Sequence, residues 1–256
     1  MTLLKSILLG ASTCLALATL SGTTSALAEA DGHTANAGPA FTLDMKRGEV
    51  LQVIVSQQRT DGREAARSYG QAAFPLAQRH GYARIGQLNV RQTVRSDFAP
   101  QAVSFFSWPS QAALDDFSAE PDWPAIKATR PEAWSGLDIY SAELHEDLTI
   151  AADPNKHYTV LIAWLKSDEA VADYERYLTG IEPAVERSGG RFLYKMRMPV
   201  REAYAADATA PHQLTFVEWE TTDGFEKVQQ TPEYAEHQQY FGSSMEKFEF
   251  YWMKTP

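Results

Sequence analysis

The sequence predicts an α+β chain in which one strand–helix–strand–strand–helix–strand unit occurs twice and the two copies pack sheet against sheet. The first observation behind this is an internal echo. Tyr69, Pro75 and Gly81 return as Tyr177, Pro183 and Gly189 at an offset of 108. Trp108, Pro121 and Tyr140 return as Trp219, Pro232 and Tyr251 at an offset of 111, so the second copy carries a three-residue insertion. The second observation is that apolar spacing alternates between period 2 and period 3.6 in the same order in both copies. The third is that Tyr158, Val160, Ile162 and Trp164 fall on one strand face and Thr159, Leu161, Ala163 and Leu165 on the other. A sheet wetted on one side would alternate more strictly, so its bare face must be covered.

In the first copy Val50–Val55 is a β-branched run that reads as a strand. Thr60-Asp61-Gly62 opens a helix whose stripe is Ala65, Ala66, Tyr69, Ala73 and Leu76, and Gly81 ends it with a left-handed cap. Arg84–Val94 and Ala102–Trp108 are strands, and Ser110 caps a short helix through Phe117. A second helical piece follows Pro121 and runs to about Trp134, bent at Pro131, before the strand Leu137–Leu144. In the second copy His157–Leu165 is a strand. Asp168–Ser188 is an amphipathic helix with Val171, Tyr174, Leu178, Ile181 and Val185 on its stripe. Arg191–Val200 and Gln213–Glu220 are strands, and Tyr204–Pro211 is a loop. Thr222 is expected to cap the next helix. Thr231-Pro232-Glu233 starts the last one, with a cap, a proline at the first position and an acid at the positive helix end. Lys247–Met253 closes the copy. Pro75 and Pro183, late in equivalent helices, predict a shared kink or break. Each copy is therefore a ferredoxin-like βαββαβ unit.

The expected organisation is an export signal over 1–28, a linker over 29–40, one repeat over 41–150 and another over 151–256. The signal rests on Lys5, the apolar run Ile7–Leu20 and the small residues of Ala26-Leu27-Ala28. The run is short for a membrane span, so no stable anchor is expected after cleavage, and the localisation read is periplasmic or secreted. Cys14 is the single cysteine and would leave with the signal, so packing rather than disulfides must hold the fold. The net charge of −10, which becomes −11 once Lys5 is lost, disfavours nucleic acid as a partner. The sequence is silent on oligomeric state.

The second copy resembles the dimeric α/β-barrel superfamily. The residues that carry the resemblance are the helix start at Asp168, the Tyr174 and Tyr177 pair, Ser188-Gly189-Gly190-Arg191, Phe216-Val217-Glu218-Trp219 and Thr231-Pro232-Glu233-Tyr234. It is most similar to small uncharacterised members with GGR before strand two and SPEY before the last helix, and more distantly to antibiotic-biosynthesis monooxygenases. The first copy departs from this pattern, with Ala119-Glu120-Pro121-Asp122-Trp123 and Gly81-Tyr82-Ala83-Arg84 at the matching places. The resemblance implies two ferredoxin-like repeats joined as a pseudo-dimeric α/β barrel. That superfamily holds cofactor-free oxygenases, haem proteins, lactone isomerases and members without known activity, so fold does not select a reaction.

No motif with a built-in mechanism is present. His237 is the first candidate, three residues after Tyr234, where a neutral imidazole could act as a base or ligate haem iron. The first copy has Ile126 at the matching place, so such a site would occur once. Glu218 is the second catalytic candidate. Arg197 is placed to meet a carboxylate at the barrel mouth, with Trp219, Tyr194 and Trp164 as walls of an apolar ligand site. No cofactor is required by these residues, and haem through His237 is the one alternative. Two function classes stay open. One is an exported small-molecule-binding or stress-related protein. The other is a cofactor-independent oxygenase or isomerase acting on a small apolar or phenolic substrate, or a haem-binding protein.

Overall fold

The computed structural model describes residues 38–203 and 208–256. The export signal and most of the expected linker lie outside the described residues, as does the start of the Tyr204–Pro211 loop. The elements in chain order are β1 (Phe41–Met45), β2 (Val50–Gln58), α1 (Arg63–Gln78), β3 (Ala83–Arg95), β4 (Ala102–Trp108), α2 (Gln111–Ser118), α3 (Trp123–Ala128), α4 (Arg130–Ala133) and β5 (Trp134–Glu143). They continue as β6 (Leu148–Ala152), β7 (His157–Leu165), α5 (Ala170–Arg187), β8 (Gly190–Arg197), β9 (Val200–Ala203), β10 (Gln213–Trp219), α6 (Gly224–Gln229), α7 (Pro232–Ser244) and β11 (Met245–Lys254).

Strands pair antiparallel in the order β8-β10-β7-β11-β3-β4-β2-β5-β9. Each half is a ferredoxin-like sheet. Long β3 joins them: its first half pairs β4 and its second half pairs β11. On the opposite side β8 pairs β10 and β9 pairs β5. Only Met198 and Pro199 separate β8 from β9, so the two ends of the strand order are consecutive in the chain and the ring closes. The result is the expected pseudo-dimeric α/β barrel. The expected strand Arg191–Val200 is two strands instead. Met198 lies at φ 45, outside strand geometry, and Pro199 has no N–H for a ladder.

Strand faces divide the molecule into three packed layers. Leu51, Val53, Phe105, Val160, Ile162, Leu214, Phe216 and Tyr251 fill the barrel interior. The equivalent residues Phe105 and Phe216 meet there, with ring centroids 5.7 Å apart. Each fully buried side chain of this size contributes about 1.5–3 kcal/mol. The ribbon β1–β6 is an addition to the two repeats, and Leu43, Met45, Leu148 and Ala152 join this core. Outside the barrel α5–α7 cover one sheet face and α1–α4 cover the other.

The echo is a structural one. Gly81 and Gly189 both take left-handed φ, at 82° and 75°, and both end the long helix of their repeat. Trp108 and Trp219 are each 2% exposed, and Tyr140 and Tyr251 are each 0%. Pro75 and Pro183 lie inside α1 and α5, which run continuously through them rather than breaking. Both prolines and the residues four before them, Gln71 and Thr179, face solvent, where water satisfies the freed carbonyl. Ser110 and Thr231 cap as expected. Thr222 does not cap α6, which begins after Asp223.

One end of the barrel interior is polar. Asp138 and Glu249 are equivalent at the 111 offset and are 6% and 1% exposed. Arg201 grips Asp138 through Nη2, at 3.0 and 2.9 Å from the two oxygens. Tyr251 donates to Glu249 at 2.6 Å, and Lys247 lies 3.6 Å away. Burial raises the Glu249 carboxyl above the ordinary glutamate value of 4.5, against the Tyr251 bond and Lys247, with Asp138 and Asp97 adding to the rise. Because the folded value is the higher one, this residue's contribution to stability is complete below about pH 4.5 and is lost as pH rises through the folded value. Glu249→Gln is therefore expected to match the parent in urea unfolding near pH 4. It should exceed the parent by on the order of 1 kcal/mol at neutral pH.

Candidate functional site

The helix stripes of the two repeats, aligned at the 108 offset, explain a void between helix and sheet in the first repeat. In α5 the buried stripe includes Tyr174, Leu178, Ile181 and Val185, all 3% exposed or less. The same places in α1 are Ala66, Gly70, Ala73 and Ala77. Large residues fill the space between helix and sheet in the second repeat. Their replacement by Ala and Gly leaves a cleft of about 300 Å³ in the first. Its floor is the outer face of the first sheet, with Gln52 from β2 and Ser104 and Phe106 from β4. Its walls are aromatic: Tyr69, Phe74, Tyr82, Trp108, Trp123 and Trp134. Tyr82 and Phe106 stack at 4.9 Å and 9°. Phe74 is 42% exposed and stands at the rim.

Polar side chains line the cleft as well, among them Gln52, Arg84, Gln87, Ser104, Arg130 and Glu202. Arg130, at the start of α4, is 6% exposed. Its Nε donates to the Tyr69 hydroxyl at 3.0 Å, its Nη1 to Glu202, and its guanidinium lies 4.9 Å over the Trp123 ring. Glu202 comes from β9, so the second repeat completes the first repeat's cleft. Burial pushes Glu202 up, but Arg130 and the Lys127 ammonium, 2.9 Å away, outweigh it and hold the carboxyl below its ordinary value. Burial raises the Tyr69 hydroxyl, partly offset by Arg130, and raises Tyr82 well above the tyrosine value. The equivalent tryptophans differ in their partners. Trp219 donates to Thr159 at 2.9 Å, whereas Trp108 Nε1, in the cleft wall, has no hydrogen-bond partner among the described residues. Trp108 pairs with Val50 and Trp219 with His157, so Gln52 stands where Thr159 would be. Gln52 donates to Ser141 instead.

The residues expected from sequence to form a site are spread over three places. His237 lies in the α5–α7 contact, with Nδ1 bonded to the Glu233 carbonyl at 2.9 Å. Its ring abuts Gly180 so closely that a Cβ there would fall 2.0 Å from His237 Cδ2. Gly180→Ala is thus expected to destabilise by about 1–3 kcal/mol in urea unfolding despite its better helix propensity. Adding His237→Ala should restore most of the loss. Glu218 pairs with Arg191 at 3.1 Å and accepts from Tyr158 at 3.3 Å. Arg197 is exposed and pairs with Glu175 at 2.9 Å. Trp219 is packed in the helix layer of the second repeat. Trp164 is in the barrel core, its Nε1 bonded to the Thr209 carbonyl at 3.0 Å. Tyr194 lines a void of only about 30 Å³ in that core, beside Tyr158. It shares the interior with Leu193 because a bulge shifts the β8 register, and Phe192 turns out to the helices. The period-2 alternation of faces is broken there.

Among the described residues no three His, Cys, Asp or Glu side chains group to hold a metal ion. The cleft wall offers no His, Cys or Met, so its donor set does not fit a haem held through an imidazole. No helix among the described residues is long and apolar enough to cross a membrane.

No family model matches the chain, and no curated protein does. Solved structures do. An anthrone oxidase-like protein matches at 10% identity over 84% of this chain and 94% of that one, with a TM-score of 0.53. A mutant chlorite dismutase from Candidatus Nitrospira defluvii matches at 11% identity over 83% and 93%, with a TM-score of 0.46. A protein of unknown function from Rhodopseudomonas palustris matches at 19% identity over 39% and 84%, with a TM-score of 0.35. At these identities the likeness is one of fold, and the first of the three carries it.

Proposed function

We propose that this chain is an exported protein that holds a small aromatic molecule in the first-repeat cleft and acts on it as a cofactor-independent oxygenase or isomerase. The observation that carries this reading is the void itself, about 300 Å³ with aromatic walls, opened where the sister repeat is solid. Voids of that size reach the lower end of ligand pockets, which are apolar with a few placed polar groups. The aromatic walls, with Tyr82 and Phe106 stacked, favour a planar ligand. Exclusion of water strengthens any electrostatic contact the ligand makes inside. The anthrone oxidase-like neighbour supplies the first substrate to try. Oxygen uptake with anthrone, above the uncatalysed rate and lost in Gly70→Leu, is the expected result.

A binding-only role is the second reading. It is favoured by Glu202, the one carboxylate on the cleft wall, which is engaged by Arg130 and Lys127 and so is a poor base. Saturable anthrone binding with no uptake of oxygen would select it. Absence of both binding and turnover would contradict either reading.

A further inference from the structure

We propose that the ligand of the cleft carries an anionic oxygen on its aromatic ring, that this oxygen docks on Arg130, and that Glu202 is the internal anion it competes with. The inference rests on the cleft being a ligand site. Charge gives the first argument. The protein carries a net −10, yet the ionised side chains of the cleft wall are Arg84, Arg130 and Glu202, a local surplus of one positive charge. The second is burial. Arg130 is 6% exposed, and a cation taken out of water needs anionic partners. The third is donor count. A guanidinium has five N–H groups in a planar fork. Among the described residues Arg130 uses Nε on Tyr69 and Nη1 on Glu202, so the fork has donors beyond those two.

The present occupant indicates what the fork accepts. Glu202 presents a carboxylate to Arg130 from the other repeat, and its side chain is 38% exposed against 8% for Arg130. Glu202 also has a second cation, Lys127, to keep if it gives up Arg130. An incoming anion can therefore share or take the guanidinium without stranding the glutamate. Trp123 and Tyr69 flank Arg130, so a ring bearing the anion would lie against aromatic faces while its oxygen meets the fork. A carboxylate and an ionised phenol share this chemistry.

Titration calorimetry at pH 8 with benzoate, 4-nitrophenolate and benzamide tests it on the full chain. Both anions are expected to bind about tenfold or more tighter than neutral benzamide, the scale of one charge-assisted hydrogen bond. Arg130→Gln should bring the anions down to the benzamide level and leave benzamide unchanged. Glu202→Gln should move the anions the other way, to tighter binding, which a variant that merely loosened the fold would not do. A stronger effect on benzoate than on nitrophenolate identifies a carboxylate ligand, and the reverse identifies a phenolate. Equal affinity for anions and benzamide, with Arg130→Gln changing neither, would overturn the anionic ligand while leaving the cleft intact. Binding that survives Gly70→Leu undiminished would overturn the cleft as the site.

Discussion

Gly70→Leu is expected to raise stability and abolish ligand binding in one step. Gly70 sits inside α1, where glycine costs about 1 kcal/mol relative to a good helix former. Leucine is what the sister helix carries at this place, as Leu178, 3% exposed and packed against its sheet. An added Cβ would lie 3.3 Å from the Phe74 ring, which is 42% exposed at the rim and needs to yield by only a few tenths of an ångström. The leucine would then extend into the cleft and bury apolar surface that the parent leaves facing a void. A gain of about 1–3 kcal/mol in urea unfolding is expected from the two effects together. Benzoate and anthrone binding should disappear. A residue kept small at the expense of stability is the pattern of a site. A variant that is less stable than the parent, or that binds normally, would contradict this account of the cleft.

Asp138→Ala is expected to cost about 3–5 kcal/mol, the range for leaving one partner of a buried ion pair uncompensated. Asp138 and Arg201 have side chains 8% and 11% exposed, and Arg201 also donates to the Thr209 carbonyl and lies against Trp164. Arg201 belongs to β9, the strand that closes the ring on β5. Glu202, its neighbour, points to the opposite side and meets Arg130 in the cleft. One four-residue strand thus holds the barrel seam on its inner face and completes the cleft on its outer face. Loss of Asp138 should therefore also weaken benzoate binding, although Asp138 does not line the cleft. The double change Asp138→Leu with Arg201→Met should recover much of the stability, because removing both charges removes the desolvation cost of each.

The architecture was legible because the chain states it twice. The paired glycines mark the same cap, the paired tryptophans the same core position, and the two-faced strand His157–Leu165 required cover on both sides. The β1–β6 ribbon was not legible, since its strands are 5 residues each and pair across roughly 100 residues of chain. The break between β8 and β9 was signalled by Pro199 alone. The site is not legible in the sequence for a physical reason. His237 is the reactive side chain that stands out, and its ring packs between two helices. The cleft is made by side chains that are absent. The legible signal was the contrast at the 108 offset, Ala66, Gly70, Ala73 and Ala77 against Tyr174, Leu178, Ile181 and Val185. Arg130 gave no local signal, because its partner Glu202 lies 72 residues on, in the other repeat.

The tryptophans allow a direct measurement. Trp108, Trp123 and Trp134, the three of the first repeat, all line the cleft. Trp164, Trp219 and Trp252 lie in the barrel core or the second helix layer. In a ¹⁵N-labelled sample titrated with benzoate, the indole N–H resonances of Trp108, Trp123 and Trp134 are expected to shift together with one saturation curve, while the other three stay in place. Shifts confined to Trp164, Trp219 and Trp252, or no shift at saturating benzoate, would contradict a ligand site in the first repeat.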